Sequence, residues 1–188
     1  MRLRFANTPA PKEIGGGTLG RDLSSELLPN YPSADFQRLV ESDTIIVGTI
    51  NYSLPVATKE GALATPRTDY HVAVVIRQKA GPAIAAGDTV IARRLGGTTT
   101  RDGFRITTME VGFPPFSGGE TYVLFLASEP NEAHFTFPYG PQNAFLITPE
   151  NNVTPVSRDP VGVWNRERGV VSLSAFLDEV QELISASR

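Results

Sequence analysis

Apolar and polar residues alternate with a period of two through much of the chain, which is the pattern of half-buried β-strands. The clearest case is residues 118–129, where Tyr122 and Leu124 face one way. Val123 and Phe125 face the other way, so both faces of this segment carry apolar side chains. The segment is therefore predicted to be a strand, one stave of a β-barrel.

Further segments with the same period are bounded by Gly and Pro, which interrupt strands and favour turns. They are residues 44–54, 68–79, 87–95, 103–111, 133–140 and 143–151. Gly48 interrupts the first of them at a place that suits a β-bulge. The Gly- and Thr-rich residues 96–103 lie between two of these segments and predict the tip of a long hairpin.

Two segments have helical rather than strand periodicity. In residues 33–43, Ser33 is a candidate N-cap and Phe36, Leu39 and Val40 lie on one helical face. In residues 172–187, Ser172 is the candidate N-cap of an amphipathic helix. The apolar stripe of that helix consists of Leu173, Phe176, Leu177, Val180, Leu183 and Ile184.

The chain divides into a flexible N-terminal extension, residues 1–32, and a single domain, residues 33–188. Pro and Gly are frequent in the extension, and only residues 19–28 could form a turn or two of helix. No apolar run reaches the ~20 residues that span a bilayer. The basic residues near Met1 are not followed by an apolar stretch, so no signal peptide is predicted; a start upstream of Met1 would favour a location outside the cytoplasm.

Consecutive strands with helices at both ends are typical of a mainly β protein rather than a βαβ protein. We expect an antiparallel OB-like barrel with a short N-terminal helix and a C-terminal amphipathic helix, because a closed barrel leaves no exposed sheet edge. A β-sandwich is the alternative.

The order of "SDTIIVGTI", "YHVAVVI", "GDTVIARRLGG" and "GETYVLFL" resembles the netrin-like module. That module is the OB-type barrel shared with tissue inhibitors of metalloproteinases, and uncharacterised bacterial proteins carry a similar pattern. The resemblance covers residues 42–147 and implies an OB barrel. It does not imply protease inhibition, because those inhibitors use an N-terminal cysteine and disulfides and this chain has no cysteine.

Composition narrows the function further. The 188 residues are 40% apolar, which is enough for a core, and the net charge of −3 gives no reason to expect a polyanionic partner. The absence of cysteine excludes disulfides, thiolate metal sites and a cysteine nucleophile. Neither a cofactor nor a metal is expected, since there are only two histidines.

Enzymatic function has weak candidates. Asp69 and His71 are two residues apart on a predicted strand, so they share a face, and His134 could join them only through the fold. Ser117 stands beside two glycines, but the Gly-x-Ser-x-Gly pattern of a nucleophile elbow is absent. A hydrolase using Ser117 or His71 is therefore an alternative, and the chain is expected not to be an enzyme.

OB barrels often bind single-stranded nucleic acid, which requires a basic groove and aromatic platforms. The candidate cations and aromatics are Arg93, Arg94, Arg101, Arg105, Tyr52, Tyr70 and Phe104. Because Asp88, Asp102 and Glu110 lie among them in the sequence and the chain is acidic, nucleic-acid binding is the alternative rather than the expected function.

Phe135, Phe137 and Tyr139 alternate along one segment and are expected to share a face, with Pro138 barring the segment from a central strand position. They either cover an open end of the barrel or form an exposed patch for a partner. We expect a non-enzymatic binding module for a protein or carbohydrate, with Phe135, Phe137, Tyr139 and Arg101 as ligand-binding residues near the hairpin tip.

Overall fold

The computed structural model describes residues 3–5, 21–27, 36–56, 65–79, 84–101, 104–157 and 170–187. Within these ranges the protein is mainly β. The strands are β1 (Leu3–Phe5), β2 (Arg21–Leu27), β3 (Thr44–Val56), β4 (Arg67–Lys79), β5 (Thr89–Leu95), β6 (Gly97–Arg101), β7 (Phe104–Glu110), β8 (Thr121–Ser128), β9 (Phe135–Thr136), β10 (Ala144–Ile147), β11 (Asn152–Pro155) and β12 (Val171–Ser172). The helices are α1 (Phe36–Leu39) and α2 (Leu173–Ala186), and a 3-10 turn covers Gly140–Asn143.

The larger sheet has the strand order β12-β11-β10-β8-β3-β4-β5-β9. Short β9 pairs on both sides: Phe135 is the partner of Ala92 in β5, and of Ser128 in β8. Its pairing with β5 is parallel, whereas the neighbouring pairs of this sheet are antiparallel. The expectation of a purely antiparallel sheet was therefore wrong, because β9 lies alongside a strand more than 40 residues earlier, a pairing that period two does not specify.

Strand β8 and the first half of β3 are buried on both faces and separate two cores. The first core contains Val123 and Phe125 together with side chains of both helices. The second core contains Tyr122, Leu124 and Leu126. The alternation read from residues 118–129 is confirmed, since each set of side chains lies in a different core.

The β-bulge expected near Gly48 is confirmed by a register shift between Val47 and Gly48 in the pairing of β3 with β4. A Cβ atom at Gly48 would overlap the Cγ1 methyl group of Val72. Glycine is required here because the two strands approach too closely for a side chain.

Both predicted helices are present and cover the first core. Phe36 and Leu39 of α1 are buried, although Ser33, its predicted N-cap, lies outside the described residues. In α2 the predicted cap is confirmed, because the Ser172 hydroxyl accepts a hydrogen bond from the Ala175 N–H at 3.3 Å. The buried residues of α2 are Phe176, Leu177, Val180 and Ile184, all from the predicted apolar stripe.

A smaller sheet has the order β1-β2-β7-β6. Residues 21–27, where a short helix was considered, form strand β2, which pairs in parallel with the whole of β7. Pairing with a strand distant in sequence overrides the weak local preference for helix. The described parts of the predicted N-terminal extension are thus strands, and the boundary at residue 32 stays a prediction.

The Gly- and Thr-rich segment is mostly strand rather than hairpin tip. Gly96 and Gly97 have φ angles of 92° and 132°, and this bend separates β5 from β6. Strand β6 then pairs with β7, and the Thr98 and Thr107 hydroxyls lie 3.1 Å apart across the pair. The hairpin is therefore β6–β7, and β5 stays in the larger sheet because the positive φ angles redirect the chain.

No helix within the described ranges is both long and apolar enough to cross a membrane.

Candidate functional site

Strands β4 and β5 place Asp69, His71 and Arg93 on one surface, whereas Arg94 points to the other side. Tyr70 and Val72 of β4 point into the second core, so Asp69 and His71 point away from it. We call the surface of β4 and β5 opposite the second core the outer face. In the strand register Asp69 lies directly opposite Arg93 of β5.

Asp69 and Arg93 form a bidentate ion pair on the outer face. The Arg93 Nε donates to Asp69 Oδ1 at 2.6 Å, and Nη2 donates to Oδ2 at 2.7 Å. Their side chains are only 11% and 20% exposed, so water screens the pair poorly. The hydrogen bonds to Asp69 raise the pKa of Arg93. Such a planar fork fixes the position of both groups.

His134 extends this pair towards the β8–β9 loop. Its Nε2 lies 3.5 Å from Arg93 Nη1, and its Nδ1 lies 3.5 Å from Glu132 Oε2. Burial lowers the pKa of His134, and the neighbouring Arg93 lowers it further, against the opposing effect of Glu132. The imidazole is therefore held in its neutral form near neutral pH, in which one nitrogen can donate and the other can accept.

A cleft of about 380 Å³ opens beside these residues. Its lining includes Arg67 and Arg93 from strands β4 and β5, and Glu129, Glu132 and His134 from the segment between β8 and β9. Hydrogen-bond donors and acceptors of both charges therefore face the same space.

Arg67 differs from the other arginines at the cleft. The Arg93 guanidinium binds Asp69, but the Arg67 guanidinium has no hydrogen-bond or ion-pair partner among the described residues. Arg67 lies at the start of β4, opposite Leu95 in the register. Its guanidinium is the cation of the cleft that is available to a ligand.

An aromatic stack lies next to the ion pair. Tyr52 of β3 is paired with His71, and their rings stack with centroids 4.2 Å apart and planes inclined by 18°. Tyr52 is 51% exposed, so much of its ring remains accessible. Tyr52 and Asp69 thus flank His71 on one continuous surface.

Arg94 supports the cleft from inside. Its guanidinium donates to the carbonyl oxygens of Phe113 and Pro114 and to Glu110, and lies 3.7 Å from the Phe113 ring centroid. Arg94 and Glu110 are both buried. The arginine therefore fixes the loop after β7 against the second core, where Phe113 and Phe116 pack.

The four residues predicted to bind a ligand are not brought together. Phe137 is 6% exposed and lies in the second core, with Phe135 packed partly against it. Tyr139 instead packs against the first core, because β9 ends at Thr136 and the alternation does not continue past Pro138. Arg101 ends β6 in the smaller sheet. Of the three aromatic residues, Phe137 lines the cleft, and ligand binding by the four residues stays a prediction.

The residues considered as catalytic candidates, Asp69, His71 and Ser117, do not contact one another in a catalytic arrangement. The Asp69 carboxylate binds Arg93, and His71 stacks on Tyr52, so the structure shows two neighbours rather than an Asp–His couple. Ser117 is exposed; its N–H donates to the Tyr122 hydroxyl, and burial raises the pKa of Tyr122 to about 12.

Within the described ranges, no group of three or more His, Asp or Glu side chains is arranged to hold a metal ion.

Sequence reasoning missed the cleft because its walls come from distant segments. Arg67, Asp69 and His71 do follow the period of two along β4, which was a usable signal. Nothing in the sequence indicates that Glu132 and His134 face them, since this depends on β9 pairing with β5.

No known protein family matches this chain when it is compared with family models, and no curated protein matches it in sequence. The function must therefore be argued from the site itself.

Proposed function

We propose that this protein is a non-enzymatic carbohydrate-binding module of OB type, with its binding surface on the outer face of β4 and β5. The observation that carries the proposal is the continuity of the Tyr52–His71 stack, the Asp69–Arg93 fork and the cleft on one surface.

The pairing order supports an OB-type barrel. Strand β3 pairs with β4, β4 with β5, β5 with β9, β9 with β8, and β8 with β3. An OB fold is a five-stranded Greek-key barrel that binds oligosaccharides or oligonucleotides on its second and third strands and adjacent loops. In the present chain these correspond to β4, β5 and the β8–β9 loop, which are the parts that form the cleft.

The chemistry of this surface favours sugars. A pyranose ring presents C–H groups that stack on an aromatic face, and Tyr52 offers such a face. The hydroxyl groups of the sugar both donate and accept hydrogen bonds. The cleft offers carboxylate acceptors from Glu129 and Glu132 and guanidinium donors. A few fixed polar groups beside an apolar surface are typical of small-ligand sites.

The same surface is less suited to single-stranded nucleic acid. A phosphate backbone offers acceptors alone, and Glu129 and Glu132 on the cleft wall would repel it. Arg93 and Arg94 are already ion-paired with Asp69 and Glu110.

A glycan array carrying neutral and acidic oligosaccharides tests the proposal. We expect specific binding by the intact chain and a loss of roughly 30-fold in affinity for Tyr52→Ala, because truncating an aromatic anchor costs about 2 kcal/mol. Tyr52→Phe keeps the ring and should bind nearly as well as the wild type.

Met109→Ala is the matched control, since Met109 is 57% exposed on β7 of the smaller sheet. Absence of glycan binding, or equal binding by Tyr52→Ala and wild type, would contradict the proposal. Preferential binding of single-stranded RNA or DNA at physiological salt would instead favour the nucleic-acid alternative.

A further inference from the structure

Arg67 is the starting observation. It lines the cleft at the first position of β4 and is partly buried, and its guanidinium has no ion-pair or hydrogen-bond partner among the described residues. A guanidinium cannot lose its charge in a protein, and its planar fork matches a carboxylate or phosphate. A partly buried guanidinium beside a cavity is therefore a ready contact for an anionic group.

The rest of the cleft restricts what kind of ligand carries that group. The carboxylates of Glu129 and Glu132 line the same space, so a ligand dense in negative charge is disfavoured. Glu129 accepts a hydrogen bond from the Thr136 hydroxyl at 3.1 Å, and Glu132 Oε2 lies 3.5 Å from His134 Nδ1 while its side chain stays 57% exposed, so both carboxylates can accept further hydrogen bonds. A ligand with one anion and several hydroxyl donors satisfies both the guanidinium and the carboxylates that line the cleft.

We propose that the cleft is a subsite for a carboxylate-bearing sugar, with the carboxylate bound by Arg67 and the ring hydroxyls donating to Glu129 and Glu132. This rests on the proposed carbohydrate binding and specifies its substrate class. In this arrangement the Tyr52–His71 stack holds a neighbouring ring of the oligosaccharide, and the subsite distinguishes acidic from neutral sugars.

Matched pairs of uronate oligosaccharides and their methyl esters test the subsite, because esterification removes the charge and keeps the ring. The affinities of wild type, Arg67→Gln and Arg67→Lys are measured by titration calorimetry for each pair found to bind on the array. We expect the free acid to bind at least tenfold more tightly than its ester to wild type, and the two to bind alike to Arg67→Gln. Arg67→Lys keeps the charge without the fork and should give an intermediate preference.

Arg105→Gln is the control, since Arg105 is exposed on β7 of the smaller sheet, and it should leave the preference unchanged. Unchanged thermal unfolding of each variant confirms that the fold is intact. Equal binding of acid and ester by wild type overturns the subsite and leaves carbohydrate binding standing. A preference that survives in Arg67→Gln overturns the role of Arg67, and binding of no glycan overturns both proposals.

Discussion

Asp69 and Arg93 show how one ion pair organises the site at the scale of single residues. The two side chains satisfy each other through two short hydrogen bonds and are both mostly buried. The pair holds Arg93 in the position at which it meets His134, and it leaves Arg67 as the cation of the cleft without a partner among the described residues. Its net contribution to stability is smaller than the penalty for leaving one member without the other.

The substitution Asp69→Asn measures the penalty for leaving Arg93 without its partner. The variant leaves the Arg93 guanidinium charged without its carboxylate, so the free energy of unfolding should fall by about 1–3 kcal/mol. Urea denaturation measures the loss. Glu150→Gln is the control, because Glu150 is exposed in a turn, and it should change stability by less than about 0.5 kcal/mol. Equal stability of Asp69→Asn and wild type would show that the pair is solvated in solution.

His134 links the site to pH. Its pKa in the folded protein lies below 6.5, the ordinary value for histidine, because burial and the charge of Arg93 disfavour the imidazolium. The carboxylates of Glu132, Asp69 and Glu129 act in the opposite direction. In the window below about pH 6.5 the unfolded chain therefore binds more protons than the folded protein. The contribution of neutral His134 to the free energy of unfolding is therefore fully present above about pH 6.5 and is lost as the pH falls below that value.

Denaturation of wild type and His134→Gln at about pH 7.5 and about pH 5.5 measures this effect. Wild type should lose more stability than the variant on acidification, since glutamine does not titrate. A larger loss in the variant would contradict the direction assigned to the pKa of His134.

At the scale of elements, α2 illustrates what local sequence can specify. Its N-cap and its apolar stripe follow from residues 172–186 alone, whereas its contact with the first core depends on distant residues such as Phe36 and Phe125. Strand β9 illustrates the opposite case. It is two residues long, and its position depends on pairing with β5 and β8 rather than on its own sequence.

Removal of the α2 cap is a direct test at this scale. Ser172→Ala loses the acceptor for the Ala175 N–H and should lower the free energy of unfolding by about 1 kcal/mol. Ser172→Asp keeps an acceptor and should retain the stability of wild type. If thermal unfolding shows both variants to be equally destabilised, the cap is not formed in solution.

At the scale of the whole molecule, the sequence predicts the class of fold better than the site. Alternation in segments such as 118–129 indicates a mainly β protein, and the burial of Val123 and Tyr122 in separate cores confirms it. The parallel pairings of β2 with β7 and β5 with β9 could not be read, because each joins distant segments. The cleft depends on the second of these pairings, because β9 follows Glu132 and His134, which line the cleft together with Arg67.

The central claim is that sugars bind to the outer face of β4 and β5. The most direct measurement is a two-dimensional amide NMR titration of the intact chain with a panel of neutral monosaccharides and sugar acids at millimolar concentration. The account predicts that chemical-shift changes concentrate at Tyr52, Arg67, His71, Arg93 and His134, with little change along α2. Shift changes centred on α2 or the smaller sheet, or no change with any sugar, would contradict it.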